Sequence, residues 1–306
     1  MPIVKLSDAN LLADQSDNQQ SLTHLATYHH YFDMPLREKR TRVTDTEANT
    51  LLLADQAVSL TKALLPYGSP NQIVDVWLTN TENITRRRER LLSPKSDSLE
   101  RIVQSGAGNC EEHAQVTFAL LAGTHRAEPV SKVSAAGADH TFVVIGDPRQ
   151  SDRTTVADSW VTFPVAHLLR HGVFSIDNVQ DTAPPNSHSD PKYHILHEWS
   201  QPKPEIQTRA KAIDYFNQRY NSPNGISSFY KQWTSLARLG GRYSTAEGKT
   251  FNFDRFPAGH ITERVNAAEE FGDRFEASDY ESDEEIRHRR SRSPSLIRSF
   301  AEMTVL

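Results

Sequence analysis

The chain has a single cysteine, Cys110, among 306 residues. No internal disulfide can form, so the fold must rest on its core and is as compatible with a reducing cytosol as with the outside. Nowhere does an apolar run approach the ~20 residues a membrane helix needs. The first residues, Met-Pro-Ile-Val-Lys-Leu-Ser-Asp, lack the charged start and apolar stretch of a general secretory signal. A specialised delivery apparatus would need no such signal. Cys-x-x-Cys, His-Glu-x-x-His and a glycine-rich phosphate loop with lysine are all missing, so no motif asks for a metal or a cofactor. A basic excess is missing too: the formal charge of −5 argues against general nucleic-acid binding. At 37% hydrophobic and 24% charged residues the chain suits one folded core with polar ends. No fixed-period repeat occurs.

What is present centres on residues 104 to 121, Gln-Ser-Gly-Ala-Gly-Asn-Cys-Glu-Glu-His-Ala-Gln-Val-Thr-Phe-Ala-Leu-Leu. Gly106 and Gly108 predict a tight turn. After Cys110, Ala114, Phe118 and Leu121 recur at helical spacing, and Val116, Ala119 and Leu120 widen the stripe. Cys110 therefore enters a buried helix at its N-terminus, where free N–H groups and the helix dipole favour an anion. A thiol so placed ionises more readily, and the thiolate is the nucleophile. Residues 138 to 146, Ala-Asp-His-Thr-Phe-Val-Val-Ile-Gly, predict a buried strand with His140 at its start. Residues 154 to 160, Thr-Thr-Val-Ala-Asp-Ser-Trp, predict a second strand with Asp158 near its end.

Cysteine on a helix N-terminus, then histidine on a strand, then aspartate on the next strand is the order of a Cys-His-Asp triad. With the Gly-x-Cys-x-Glu-x-Ala run at Gly108 to Ala114, the pattern resembles the papain-like superfamily and most closely its transglutaminase-like branch, in particular bacterial effector and toxin cysteine deamidases and proteases. The resemblance covers roughly residues 70 to 165, about a third of the chain. It implies an α+β core in which the cysteine helix packs on an antiparallel sheet carrying histidine and aspartate. It implies nucleophilic acyl transfer with no cofactor: Cys110 attacks, His140 is the base, and Asp158 orients the imidazole. Glutamine or asparagine deamidation of a protein substrate comes first, such as a host signalling or ubiquitin-pathway protein. A protease or transglutaminase stands beside it, and so does a non-catalytic interaction protein that keeps the fold. Gln104, six residues before Cys110, is an oxyanion-donor candidate or a polar turn residue, and the backbone N–H of Cys110 is the more general donor. Gly108, Asn109 and Trp160 support the site, with Trp160 packing under it. The resemblance also implies a bacterial protein placed in a target-cell cytosol by a specialised secretion system.

Competing residues are weaker on position. His113 shares the helix of Cys110, Asp139 points away from His140 across the strand, and His125 and His167 lie outside the motifs. Glu112 suits the first helical turn electrostatically. A lone cysteine on an apolar helix is ordinarily a small core residue, so the reading stands on the three residues together.

The rest divides into a polar segment 1 to 43, a catalytic region 44 to 200, a helical extension 201 to 276 and a charged tail 277 to 306. His24, His29 and His30 are surface or packing residues rather than metal ligands, since no cysteine joins them. Thr44 or Thr46 caps a helix that Pro66 and Gly68 stop, and Ser69-Pro70 opens a second. Arg86, Arg87, Arg88 and Arg90 read as a solvated helix face or loop, with contact to an acidic partner or anionic headgroups as the alternative. A strand is expected at Val130 to Ser134, a helix at Val165 to Leu169, a loop from Asp177 to Pro191, and helices at Ile206 to Tyr220, Ile226 to Leu239 and Thr262 to Phe275. The basic run Arg287 to Arg292 is a candidate partner or import contact.

Overall fold

The computed structural model describes residues 41–149, 153–161, 164–188, 192–205, 208–220, 242–252, 266–267 and 270–271. The polar start with its three histidines, the Ile226 to Leu239 helix, the tail with Arg287 to Arg292, and most of the Thr262 to Phe275 helix lie outside the described residues.

After a two-residue strand β1 (Thr41–Arg42), helix α1 runs Asp45–Leu64. Thr44 caps it: the Glu47 N–H donates to Thr44 Oγ1 at 3.2 Å, and the Thr44 N–H donates to Glu47 Oε2 at 2.8 Å. This reciprocal pair satisfies two N–H groups that the helix leaves orphaned. Helix α2 (Ile73–Leu78) follows the Ser69-Pro70 turn, then α3 (Glu82–Leu91) carries the arginine cluster. Helix α4 (Leu99–Ser105) starts on a Ser98 cap and ends at Gly106, whose φ of 65° is the left-handed conformation glycine adopts freely. Helix α5 (Cys110–Ala122) begins at the cysteine.

Strands β2 (Val130–Ala135), β3 (Thr141–Ile145), β4 (Thr155–Ala157), β5 (His167–Leu168) and β6 (Ile176–Ala183) form an antiparallel sheet in the order β5-β4-β3-β2-β6. Helices α6 (Lys192–Glu198) and α7 (Ala210–Tyr220) follow. Strands β7 (Arg242–Ser244) and β8 (Thr250–Asn252) join β1 in a small second sheet. The described chain is thus a mixed helix-and-sheet fold of the α+β class.

Each face of the large sheet is covered. Ala48, Leu51, Ala54 and Val58 of α1, with Ala114 and Leu121 of α5, pack on Val143, Ile145 and Ala157. Phe142, Val144 and Val156 pack on the other side with Leu169, Phe174 and Ile176. That two-sided burial is why β3 reads as an unbroken apolar run rather than an alternating one. Helix α5 is central: Val116 and Leu120 leave the sheet side and join Leu60, Leu64, Ile102, Val103 and Leu196 in another cluster. Phe216 of α7 joins a fourth with Trp77 of α2.

Two expectations are corrected. Val165 to Leu169 is not helical: His167 and Leu168 pair with β4, and a 3-10 turn spans Leu169–His171. A five-residue apolar stretch carries no period that separates strand from helix, and the open edge of β4 decides it. Nor is Asp177 to Pro191 all loop, because Ile176–Ala183 forms the edge strand β6, bulged against β2. Nearly every β6 residue is exposed, so the pairing left no hydrophobic alternation in the sequence.

Candidate functional site

The large sheet delivers two of the three site residues by register. Strands β3 and β4 pair Val143 with Ala157 and Ile145 with Thr155. Continued beyond the last paired residues, this register sets Phe142 opposite Asp158 and His140 opposite Trp160. All four side chains gather at one end of the sheet. The His140 and Trp160 ring centres are 4.6 Å apart, and those of His140 and Phe142 are 5.7 Å apart. His140 Nε2 and Asp158 Oδ2 share a hydrogen bond of 2.5 Å, with both side chains buried. The other carboxylate oxygen accepts the Trp160 N–H at 3.0 Å.

The third residue comes from above. Cys110 is the first residue of α5 and half-buried, and it packs with Val173 and Phe174 against the buried pair Trp160 and Val161. With Nε2 held by Asp158, Nδ1 is the nitrogen left for the thiol. That atom is buried with no hydrogen-bond partner among the described contacts, and the nearby Cys110 sulfur helps to raise the imidazole. Burial works against a charged ring, but the Asp158 carboxylate and the Cys110 sulfur outweigh it and hold His140 up at about 9. The structure therefore brings the Cys110, His140 and Asp158 side chains together.

The turn carrying Cys110 is braced from three sides. The Gly108 N–H donates to the Gly68 carbonyl at 3.1 Å, and the Tyr67 N–H to the Gly106 carbonyl at 2.9 Å. The Asn109 N–H donates to Glu112 Oε2 at 2.8 Å. A Cβ on Gly108 would lie 2.5 Å from the Glu112 Cβ, so close approach, not φ, demands glycine there. Trp160 packs beneath, its Nε1 donating to Ser69 Oγ and Asn71 Oδ1 at 2.9 Å each.

Other candidates are placed elsewhere. Gln104 turns along α4, where its Nε2 donates to Glu100 Oε1 at 3.0 Å and its Oε1 accepts from Arg101 at 3.3 Å. Among the described contacts its amide serves its own helix. His113 is buried, with Nδ1 3.3 Å from Ser159 Oγ. His167 sits 2.7 Å from the Val165 carbonyl, and burial pushes it down. Asp139 and His125 are exposed. The arginine cluster is not a simple solvated face: Arg90 is buried, and Arg87 and Arg90 both bind Glu112, while Arg86 stacks on Tyr67 at 3.8 Å. Sequence reasoning missed Ser69, Asn71, Arg87, Arg90 and Phe174 as parts of the site's surroundings, because no local spacing links them to residues so far along the chain.

The chain matches no family model, no curated protein and no solved structure. Among the described residues, no group of three or more His, Cys, Asp or Glu is arranged to hold a metal ion, and no helix is long and apolar enough to cross a membrane.

The raised His140 makes a signed prediction. Its proton is held more tightly folded than unfolded, so the stabilisation is complete below the ordinary value of about 6.5. It fades as pH rises through about 9. Urea denaturation from about pH 6 to about pH 10 should show the wild-type advantage over His140→Gln shrinking across that window. An advantage constant with pH would contradict the raised value.

Proposed function

We propose that the chain is a cysteine-dependent acyl-transfer hydrolase with a papain-like, transglutaminase-like core, acting on a protein substrate. The observation that carries this reading is the buried 2.5 Å His140–Asp158 bond with the far imidazole nitrogen turned to a cysteine at a helix N-terminus. With the proton already held on the raised His140 as an imidazolium, the Cys110 sulfur attacks the carbonyl carbon of a carboxamide. The N–H of Cys110, in the first turn where helix amides have no intrahelical acceptor, faces the developing oxyanion. The C–N bond breaks, ammonia leaves with the proton from His140, and a thioester remains. Water attacks it, His140 takes the water's proton, and thiol and carboxylate separate. Asp158 holds the ring orientation throughout and offsets the imidazolium charge.

Among acyl-transfer substrates, a glutamine or asparagine side chain is favoured by the resemblance of the Gly108 to Ala114 run to effector and toxin deamidases. A host signalling or ubiquitin-pathway protein, reached by specialised secretion from a bacterium, is the substrate setting that this resemblance suggests.

Alkylation tests it. Iodoacetamide labelling of Cys110, followed by intact mass against pH, should be fast below about pH 7 in wild type and slow in His140→Ala. A search for +1 Da shifts or cleavage in candidate proteins then separates deamidation from proteolysis. Labelling that rises only near the ordinary thiol value of about 8.5 and ignores the His140 substitution would remove the activated pair. A non-catalytic interaction protein would then be the better account.

A further inference from the structure

A buried charge cluster stands behind the turn of Cys110 and takes no part in the chemistry above. Glu112 Oε1 accepts from Arg87 Nε at 3.0 Å and from an Arg90 amino group. The Glu112 side chain is 8% exposed and that of Arg90 2%. Arg90 also donates to the Ser96 carbonyl and lies 3.7 Å from Asp97. Removing such ions from water is costly even when they are paired. Holding the helix start needs only the Glu112 carboxylate on the Asn109 N–H, so two guanidiniums require another reason. Position supplies one. The Glu112 carboxylate folds back to 2.8 Å from the N–H of Asn109, the residue before Cys110, and a bare carboxylate at that turn opposes a thiolate.

We propose that Arg87 and Arg90 are positioning residues that cancel the Glu112 charge, so that Glu112 can clamp the turn without disfavouring the Cys110 thiolate. This rests on the acyl-transfer reading only in taking the thiolate as the working form. The other charged groups around Cys110 are already committed. His140 and Asp158 pair at the strand ends, and Lys132 of β2 binds Glu111 at 2.6 Å. Lys62 of α1 lies with its Nζ 3.5 Å from the Trp160 carbonyl.

The test is the pH profile of Cys110 alkylation in the full chain, with melting temperature recorded for each variant. Arg87→Gln alters a side chain 28% exposed and should fold. Its alkylation midpoint should rise by about half to one pH unit, and Arg87→Gln with Glu112→Gln should bring it back to wild type or below. Arg90→Gln should move the midpoint the same way; if it fails to fold, the Arg87 pair decides. A purely structural role would lower the melting temperature and leave the midpoint in place. An unmoved midpoint in Arg87→Gln, or a rise that removing Glu112 does not reverse, overturns the proposal. His140→Ala, run alongside, separates the two readings. A profile moved by Arg87→Gln but untouched by His140→Ala sinks the acyl-transfer reading and leaves charge cancellation standing. The reverse sinks charge cancellation alone.

Discussion

Asp158→Ala should lower folding stability by about 3–5 kcal/mol, the range for removing one partner of a buried pair. The aspartate is 4% exposed and serves two donors at once: Nε2 of His140 through Oδ2, and the Trp160 N–H through Oδ1. Alanine leaves both unsatisfied. The imidazole then has burial working against its charge and only the thiol to offset it, so it should become neutral in the ordinary range. Asp158→Asn keeps the acceptor for Trp160 and the side-chain volume, and should therefore fold far better than the alanine variant. It removes the charge that faces the imidazole and, on the acyl-transfer reading, should slow turnover by about 10⁴-fold, the size seen when a triad carboxylate becomes an amide elsewhere. Urea denaturation of the three proteins near neutral pH measures the first effect. An alanine variant as stable as wild type would mean that the pair does not hold the β3 and β4 ends together.

The second large effect is expected from Gly108→Ala. The new Cβ would lie 2.5 Å from the Glu112 Cβ and 3.3 Å from its Cγ, and the former is a distance no relaxed structure keeps. Glu112 cannot yield freely, because its carboxylate is held by Asn109, Arg87 and Arg90. The turn must move instead, and the Gly108 bond to the Gly68 carbonyl goes with it. Overpacking of this kind costs about 1–3 kcal/mol. On the acyl-transfer reading the loss of thiol reactivity should be of similar size, since a displacement near 1 Å at a reacting group can cost about 10²-fold. Alkylation at fixed pH, with the melting temperature of each protein recorded alongside, provides the check. Equal rates in wild type and Gly108→Ala would show that the turn tolerates a side chain and that the close approach has no role at the thiol.

The two effects have a common basis. Cys110 and His140 meet only because a helix start and two strand ends are placed within a few ångströms, each by its own contacts. Trp160 ties these together: its backbone binds Asp158, its ring faces His140 at 4.6 Å and its Nε1 reaches Ser69 and Asn71. The Ser69 turn in turn sits beside Gly68, which accepts from Gly108.

Much of this was readable locally. The Thr44 cap, the glycine turn before Cys110, the helix that follows and the strands around His140 and Asp158 all follow from propensity and period. Those signals act within a few residues, so sequence alone determined them. Trp160 could be expected beneath the site because strand alternation places it on the face of Asp158. Gln104 could not be placed this way. Its separation from Cys110 suggested a donor, but α4 turns its amide toward Glu100 and Arg101. The exposed edge strand β6 and the short β5 were invisible, because their pairing comes from neighbours and not from their own hydrophobic pattern. The arginines of α3 carried no mark of their destination either. Whether a guanidinium meets water or a buried carboxylate depends on how α3 folds back over the start of α5. Sequence determined which residues could do chemistry and on which elements they sit. Only the tertiary structure decided that His140 turns one nitrogen to Asp158 and the other to Cys110, and that Glu112 is buried between two arginines, because these alignments depend on strand register and helix packing across distant parts of the chain.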